Sequence, residues 1–96
     1  MILIAHRGNM NGINSRLENG QKYCEDAIDK GFHVEMDVWY TDTWWTGHDR
    51  PQYRVHSDFL LKDEVWCHAK NIEALKGLLD LGAHCFFHQN DNVTLT

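Results

Sequence analysis

Four short apolar runs, each closing on charged or imidazole side chains, constrain this chain more than any other feature. The runs are Ile2 to Ala5, Val34 to Trp39, Val65 to Ala69 and His84 to His88. Their lengths suit buried strands, and amphipathic stretches separate the first from the second and the third from the fourth. Ser15-x-x-Glu18 has capping-box spacing, which predicts a helix to about Lys30 with Gly31 as its stop. Asn71 can cap a second helix, with Ile72, Leu75, Leu78 and Leu79 on one stripe and Gly82 as its stop. Trp44 to Gly47 reads as a short extended piece and 50–58 as a long connection.

Strand, helix, strand, followed by strand, helix, strand, implies an α/β fold with a parallel sheet and right-handed crossovers. In such folds chemistry gathers at the carboxyl ends of the strands. His6 follows the first run. Glu35 and Asp37 lie in the second, His68 and Lys70 at the end of the third, and His88 at the end of the fourth. Side chains alternate across a strand, so Glu35 and Asp37 share one face while Val34, Met36 and Val38 share the other. Two neighbouring carboxylates repel, and a divalent cation relieves them. Nearby histidines can then supply the base and the acid of a hydrolysis. Each piece has a plainer alternative: a solvated turn for His6-Arg7, a turn for Gly47-His48-Asp49, a helix start for Glu18-Asn19 and a core histidine for His68.

His6-Arg7-Gly8, Glu18-Asn19, Glu35-Met36-Asp37-Val38 and His48-Asp49, in this order and at these gaps, resemble the glycerophosphodiester phosphodiesterase family of phospholipase-C-like phosphodiesterases. The likeness spans about residues 1 to 70. Its pattern runs His-Arg-Gly, Glu-Asn-Thr, Glu-x-Asp, His-Asp and later Glu-x-Lys. Gly20 stands where the family has Thr, and His68-Ala69-Lys70 stands where it has Glu-x-Lys. The resemblance implies a TIM barrel, yet that fold takes about 250 residues and this chain has 96. The expectation is therefore one phosphodiesterase-like domain over 1–96, built of parallel βα units like the N-terminal half of a barrel and incomplete at its C-terminus.

The resemblance further implies His6 and His48 as base and acid, Arg7 and Lys70 on the substrate phosphate, and Glu18 and Asn19 as site support; His88 joins them as candidate support on its strand-end position alone. Glu35 and Asp37 would ligate Mg²⁺ or Ca²⁺. If His68 also ligates, the softer imidazole shifts the preference toward Mn²⁺ or Zn²⁺. The expected substrate is a small glycerophosphodiester. The alternatives are an inactive fragment that associates with another chain and a metal-binding scaffold.

The net charge of −5 and the lack of a Lys/Arg cluster argue against a nucleic-acid partner. No apolar stretch is long enough for a transmembrane helix. Cys24, Cys67 and Cys85 form an odd set without CxxC spacing, which reads as buried reduced thiols in a cytoplasmic protein. His33, His56 and His84 are expected to be structural or exposed. Open sheet edges predict self-association into a homo-oligomer.

Overall fold

The computed structural model describes residues 1–88 and 94–95, with the side chains of 88, 94 and 95 outside the description. In chain order the elements are β1 (Ile4–His6), α1 (Gln21–Asp29), β2 (His33–Tyr40), β3 (Trp44–Thr46), β4 (Tyr53–Arg54), α2 (Ser57–Leu60), β5 (Val65–Ala69), α3 (Ile72–Leu81), β6 (His84–His88) and β7 (Thr94–Leu95). They form one mixed sheet in the order β4-β3-β2-β5-β6-β7, with β1 also on β2. The strand β2 is central. Along one edge it takes β1 beside its first half (Ala5 opposite Val34) and β3 beside its second (Trp39 opposite Trp45). Its other edge pairs with β5, placing Asp37 opposite His68.

This overturns the expectation of repeated parallel βα units resembling half of a TIM barrel. The strands β1, β2, β5 and β6 do run parallel. However, β3, β4 and β7 run antiparallel to their neighbours, and no single helix links β2 to β5. The physical reason lies in residues 41–43. The amide of Thr41 donates to the Thr43 carbonyl (3.1 Å), and this tight turn sends the aromatic pair Trp44-Trp45 back along β2. A hairpin therefore extends the sheet where a barrel would place a crossover helix.

The alternation of side chains along β2 divides the molecule. Val34, Met36 and Val38 are fully buried and join Cys24 and Ala27 of α1, Phe59 and Leu60 of α2, Cys67 and Ala69 of β5, and Ala74, Leu75 and Leu78 of α3 in one core. The opposite face carries Glu35, Asp37 and Trp39, with His6, Trp66, His68, His84 and Phe86 in register beside them.

Local expectations need correction as well. The first strand is Ile4–His6 rather than a buried run from Ile2 to Ala5, and Ile2, Leu3 and Ile4 are exposed. The helix α1 begins at Gln21 after Gly20, which makes no side-chain cap. Glu18 accepts hydrogen bonds from Arg7 and Asn9 instead of closing a capping box. On α3 the Asn71 cap is present, with Oδ1 accepting from the Ala74 amide at 3.0 Å, and Gly82 ends the helix. Its inward stripe is Ala74, Leu75 and Leu78, while Ile72 and Leu79 are exposed. The connection 50–58 contains β4 and the start of α2. The cysteines are unpaired, with Cys24 and Cys67 buried and Cys85 half-buried.

Candidate functional site

The site begins where β1 ends. The Arg7 amide continues the ladder by donating to the Glu35 carbonyl (2.7 Å), and the Gly8 and Asn9 amides fold back onto Ala5 and His6. Both Arg7 (φ 57°) and Gly8 (φ 82°) take the left-handed conformation. A Cβ on Gly8 would stand 2.8 Å from Cys24 Sγ, so this glycine lets the turn sit directly on α1. The turn leaves His6 on the open face, with Nε2 3.3 Å from Glu35 Oε1.

Glu35, Asp37 and His68 converge. One ligand atom from each lies within 4.8 Å of the others, and together they could hold a metal ion. His68 Nδ1 is 3.0 Å from Asp37 Oδ1 and 3.8 Å from Glu35 Oε2. Its ring stacks on Phe86, with centroids 4.9 Å apart, so an aromatic neighbour sets the imidazole plane. Glu35, only 9% exposed, leaves Oε1 buried with no hydrogen-bond donor among the described residues. A buried, unsatisfied carboxylate oxygen facing a second carboxylate is costly unless a cation or a proton meets it.

The two carboxylates differ electrostatically. Burial, and then the charge of Asp37, push Glu35 up to about 8. Burial also pushes Asp37 upward, but hydrogen bonds from His68 and Asn19 and the charge of Arg7 outweigh it and hold the group below its usual range. Without a cation the pair therefore shares one proton, carried by Glu35 at neutral pH. His6 is lowered by partial burial and by the neighbouring Arg7 charge, which keeps its imidazole neutral and able to accept a proton.

Arg7 is largely occupied by protein groups. Nη1 donates to Glu18 Oε2 at 3.1 Å. Nε lies 3.0 Å from Asp37 Oδ2, yet its N–H is not aligned with an acceptor among the described residues. We read this contact as a charge pairing without a hydrogen bond. Lys70 follows β5, its amide bonded to the Val38 carbonyl at 2.8 Å. Its charge lowers both Glu35 and Asp37, so it belongs to the electrostatics of the site.

His48 sits on the loop after β3. Its imidazole lies within electrostatic reach of His6, and Nδ1 is 2.9 Å from Asp49 Oδ1. At 45% side-chain exposure it lies at the open rim. The loop is anchored immediately before it. The Gly47 amide donates to the Asp37 carbonyl (3.0 Å), and Trp39 Nε1 donates to the Gly47 carbonyl (2.8 Å). A Cβ on Gly47 would collide with the Arg50 carbonyl at 2.0 Å, so the chain passes here only as glycine.

The structure thus brings His6, Arg7, Glu18, Asn19, Glu35, Asp37, His48, His68 and Lys70 into one neighbourhood. The side chain of His88 lies outside the described residues. Of the other histidines, His33 accepts from Trp66 Nε1 (3.0 Å) and His84 stacks on the same indole at 4.6 Å. Sequence reasoning missed Thr46 and Phe86. Their roles depend on pairing across strands, and no local motif marks them. Cavities of about 260 and 470 Å³ open elsewhere, between α1 and the segment from Arg54 to Lys62.

Comparison of the chain with protein-family models, with curated proteins and with solved structures returned no match.

Proposed function

We propose that this site hydrolyses a small phosphodiester, of the glycerophosphodiester type, with a divalent cation held by Glu35, Asp37 and His68. The observation that carries the reading is the buried Oε1 of Glu35, which meets no aligned donor among the described residues, sits within a convergent donor set and lies 3.3 Å from the His6 imidazole. The donor set fits such an ion in its chemistry, because two carboxylates and one imidazole converge and Glu35 Oε1 meets no hydrogen-bond donor among the described residues. With imidazole included, Mn²⁺ or Zn²⁺ suits the set better than Mg²⁺ or Ca²⁺. When bound, the ion would offset charge developing on the phosphoryl oxygens.

The protein's own groups divide the remaining work. His6, kept neutral, takes a proton from the attacking water as the water oxygen bonds to phosphorus. His48, its Nδ1 turned to Asp49, presents Nε2 to the leaving oxygen and returns a proton as the P–O bond breaks. Lys70 attracts the phosphate. Arg7 steadies Asp37 and Glu18, and its remaining N–H groups can meet phosphate oxygens.

The test is hydrolysis of bis(p-nitrophenyl) phosphate with Mn²⁺, Zn²⁺, Mg²⁺ or Ca²⁺ and after chelation. Activity that requires a cation, rises with pH as His6 loses its proton and drops by about 10²–10⁴ in His6→Ala supports the reading. Cation binding by calorimetry with no turnover on any diester would favour the rival reading of a metal-binding scaffold.

Two coarser features accompany this reading. No helix among the described residues is long and apolar enough to cross a membrane, and the unpaired thiols suit a reducing compartment. Ile2, Leu3 and Ile4 are 57%, 55% and 54% exposed beside β1, and a second copy is the partner we propose for them. Light scattering that shows a monomer at all concentrations would refute that pairing.

A further inference from the structure

Thr46 is fully buried although its side chain is polar, and its hydroxyl has one evident task. Oγ1 donates to the carbonyl of Asn19 at 2.5 Å. Asn19 is also fully buried and is held at φ 69°, an uncommon state that a non-glycine residue keeps only when its surroundings demand it. Every polar group of Asn19 is engaged. Its amide donates to the Arg7 carbonyl (2.9 Å), Oδ1 accepts from the Asp37 amide (2.8 Å), Nδ2 donates to Asp37 Oδ2 (3.1 Å), and its carbonyl receives Thr46. One asparagine thus joins the turn after β1, the ligand-bearing strand β2 and the strand β3 that leads into His48.

We infer that Thr46 is a positioning residue that sets His48 against the Glu35–Asp37 site through Asn19, an inference that rests on the hydrolytic reading above. Only Gly47 separates Thr46 from His48. The two Gly47 bonds fix that residue's backbone to β2, and the Thr46 hydroxyl fixes the preceding residue to Asn19, which is itself clamped on Asp37. Together these bonds define where the His48 imidazole stands relative to the carboxylates. The Asn19 side chain holds Asp37 without help from Thr46, so loss of the hydroxyl should release the acid but not the ligands.

The experiment compares Thr46→Val, nearly isosteric but without a donor, with Thr46→Ser, which restores one. Two diesters are used, one with a p-nitrophenolate leaving group and one with an alkoxide. A phenolate of low basicity departs without a proton, whereas an alkoxide needs the acid. Thr46→Val should therefore lose about 10²-fold in kcat on the alkyl diester, within the range of a lost general acid. On the p-nitrophenyl diester the loss should be under about fivefold, KM and Mn²⁺ affinity should change little, and Thr46→Ser should recover most of the alkyl rate. Equal losses on both diesters, no loss on either, or failure of serine to rescue would overturn the assignment.

Amide exchange at Gly47 supplies a readout independent of turnover. Thr46→Val should speed it by about tenfold or more while the central amides of β2 stay protected, and unchanged Gly47 exchange would overturn the assignment. If the wild-type protein hydrolyses neither diester, the hydrolytic reading falls. The exchange data then still decide whether Thr46 holds the loop.

Discussion

The two faces of β2 obey different rules although they belong to the same eight residues. On the helical side Val34, Met36 and Val38 are buried among aliphatic and thiol neighbours, and each contributes through apolar area removed from water. On the open side Glu35 and Asp37 are nearly as buried, yet burial there costs free energy and has to be offset by Arg7, Asn19, His68 and a cation or proton. One face stabilises the fold, whereas the other holds an arrangement that the fold must support.

The largest effect that breaks this contrast should come from Met36→Ala. Truncating a fully buried side chain in a packed core costs about 2–5 kcal/mol. Chemical denaturation should show the loss, and cation affinity measured on the remaining folded protein should be unchanged. Next comes Asp37→Asn on the opposite face. It removes the carboxylate charge while keeping the shape, and divalent affinity should fall by roughly a hundredfold, or about 2.7 kcal/mol. Circular dichroism should report the same strands. Unchanged calorimetric affinity for every divalent ion would end the metal assignment.

A smaller effect should appear with pH. The Glu35 carboxyl titrates near 8 in the folded chain, against an ordinary value of 4.5. Between those values the folded state binds more protons than the unfolded state, so the Glu35 contribution is complete below about pH 4.5 and is lost as pH rises through 8. Metal-free protein should therefore weaken from pH 6 to 9 by on the order of 2 kcal/mol. Added Mn²⁺ or a Glu35→Gln substitution should flatten that slope. Asp37, which is lowered, acts in the opposite sense, and its contribution is lost on acidification below the ordinary carboxylate range. Unfolding curves of metal-free protein that hold steady from pH 6 to 9 would contradict the burial of Glu35.

The smallest effect concerns the thiols. Burial pushes Cys24 up to about 12 and raises Cys67 further, whereas Cys85 is less deeply placed and is raised by burial alone. A disulfide reagent should label Cys85 first and should reach the other two only on unfolding. Equal labelling of all three in the native protein would mean that the helical side is not closed.

The strands at Val65 to Ala69 and His84 to His88, the Asn71 cap and the shared face of Glu35 and Asp37 were all legible in the chain. Each follows from local rules: apolar runs of strand length, a capping asparagine and the twofold alternation of side chains. Glu18-Asn19 shows where local rules fail. The capping-box spacing is present, but Arg7 and Asn9 take the Glu18 carboxylate and Asp37 takes the Asn19 amide, because those partners meet them only once β1 and β2 are paired. The antiparallel hairpin was hidden for a similar reason. Trp44 and Trp45 read as extended in any sheet, and only pairing against Trp39 and Tyr40 decides their direction.

The sequence by itself determined where most strand segments lie, which residues carry charge, and that two carboxylates must face the same way, since these depend on residue type and on the period of a strand. The tertiary structure alone decided that His68 approaches Asp37, that Glu35 keeps an oxygen without a donor among the described residues, and that Thr46 reaches Asn19 across the fold. These are contacts between segments far apart in the chain, fixed by strand register and by the need to satisfy buried polar groups, and no local pattern encodes them.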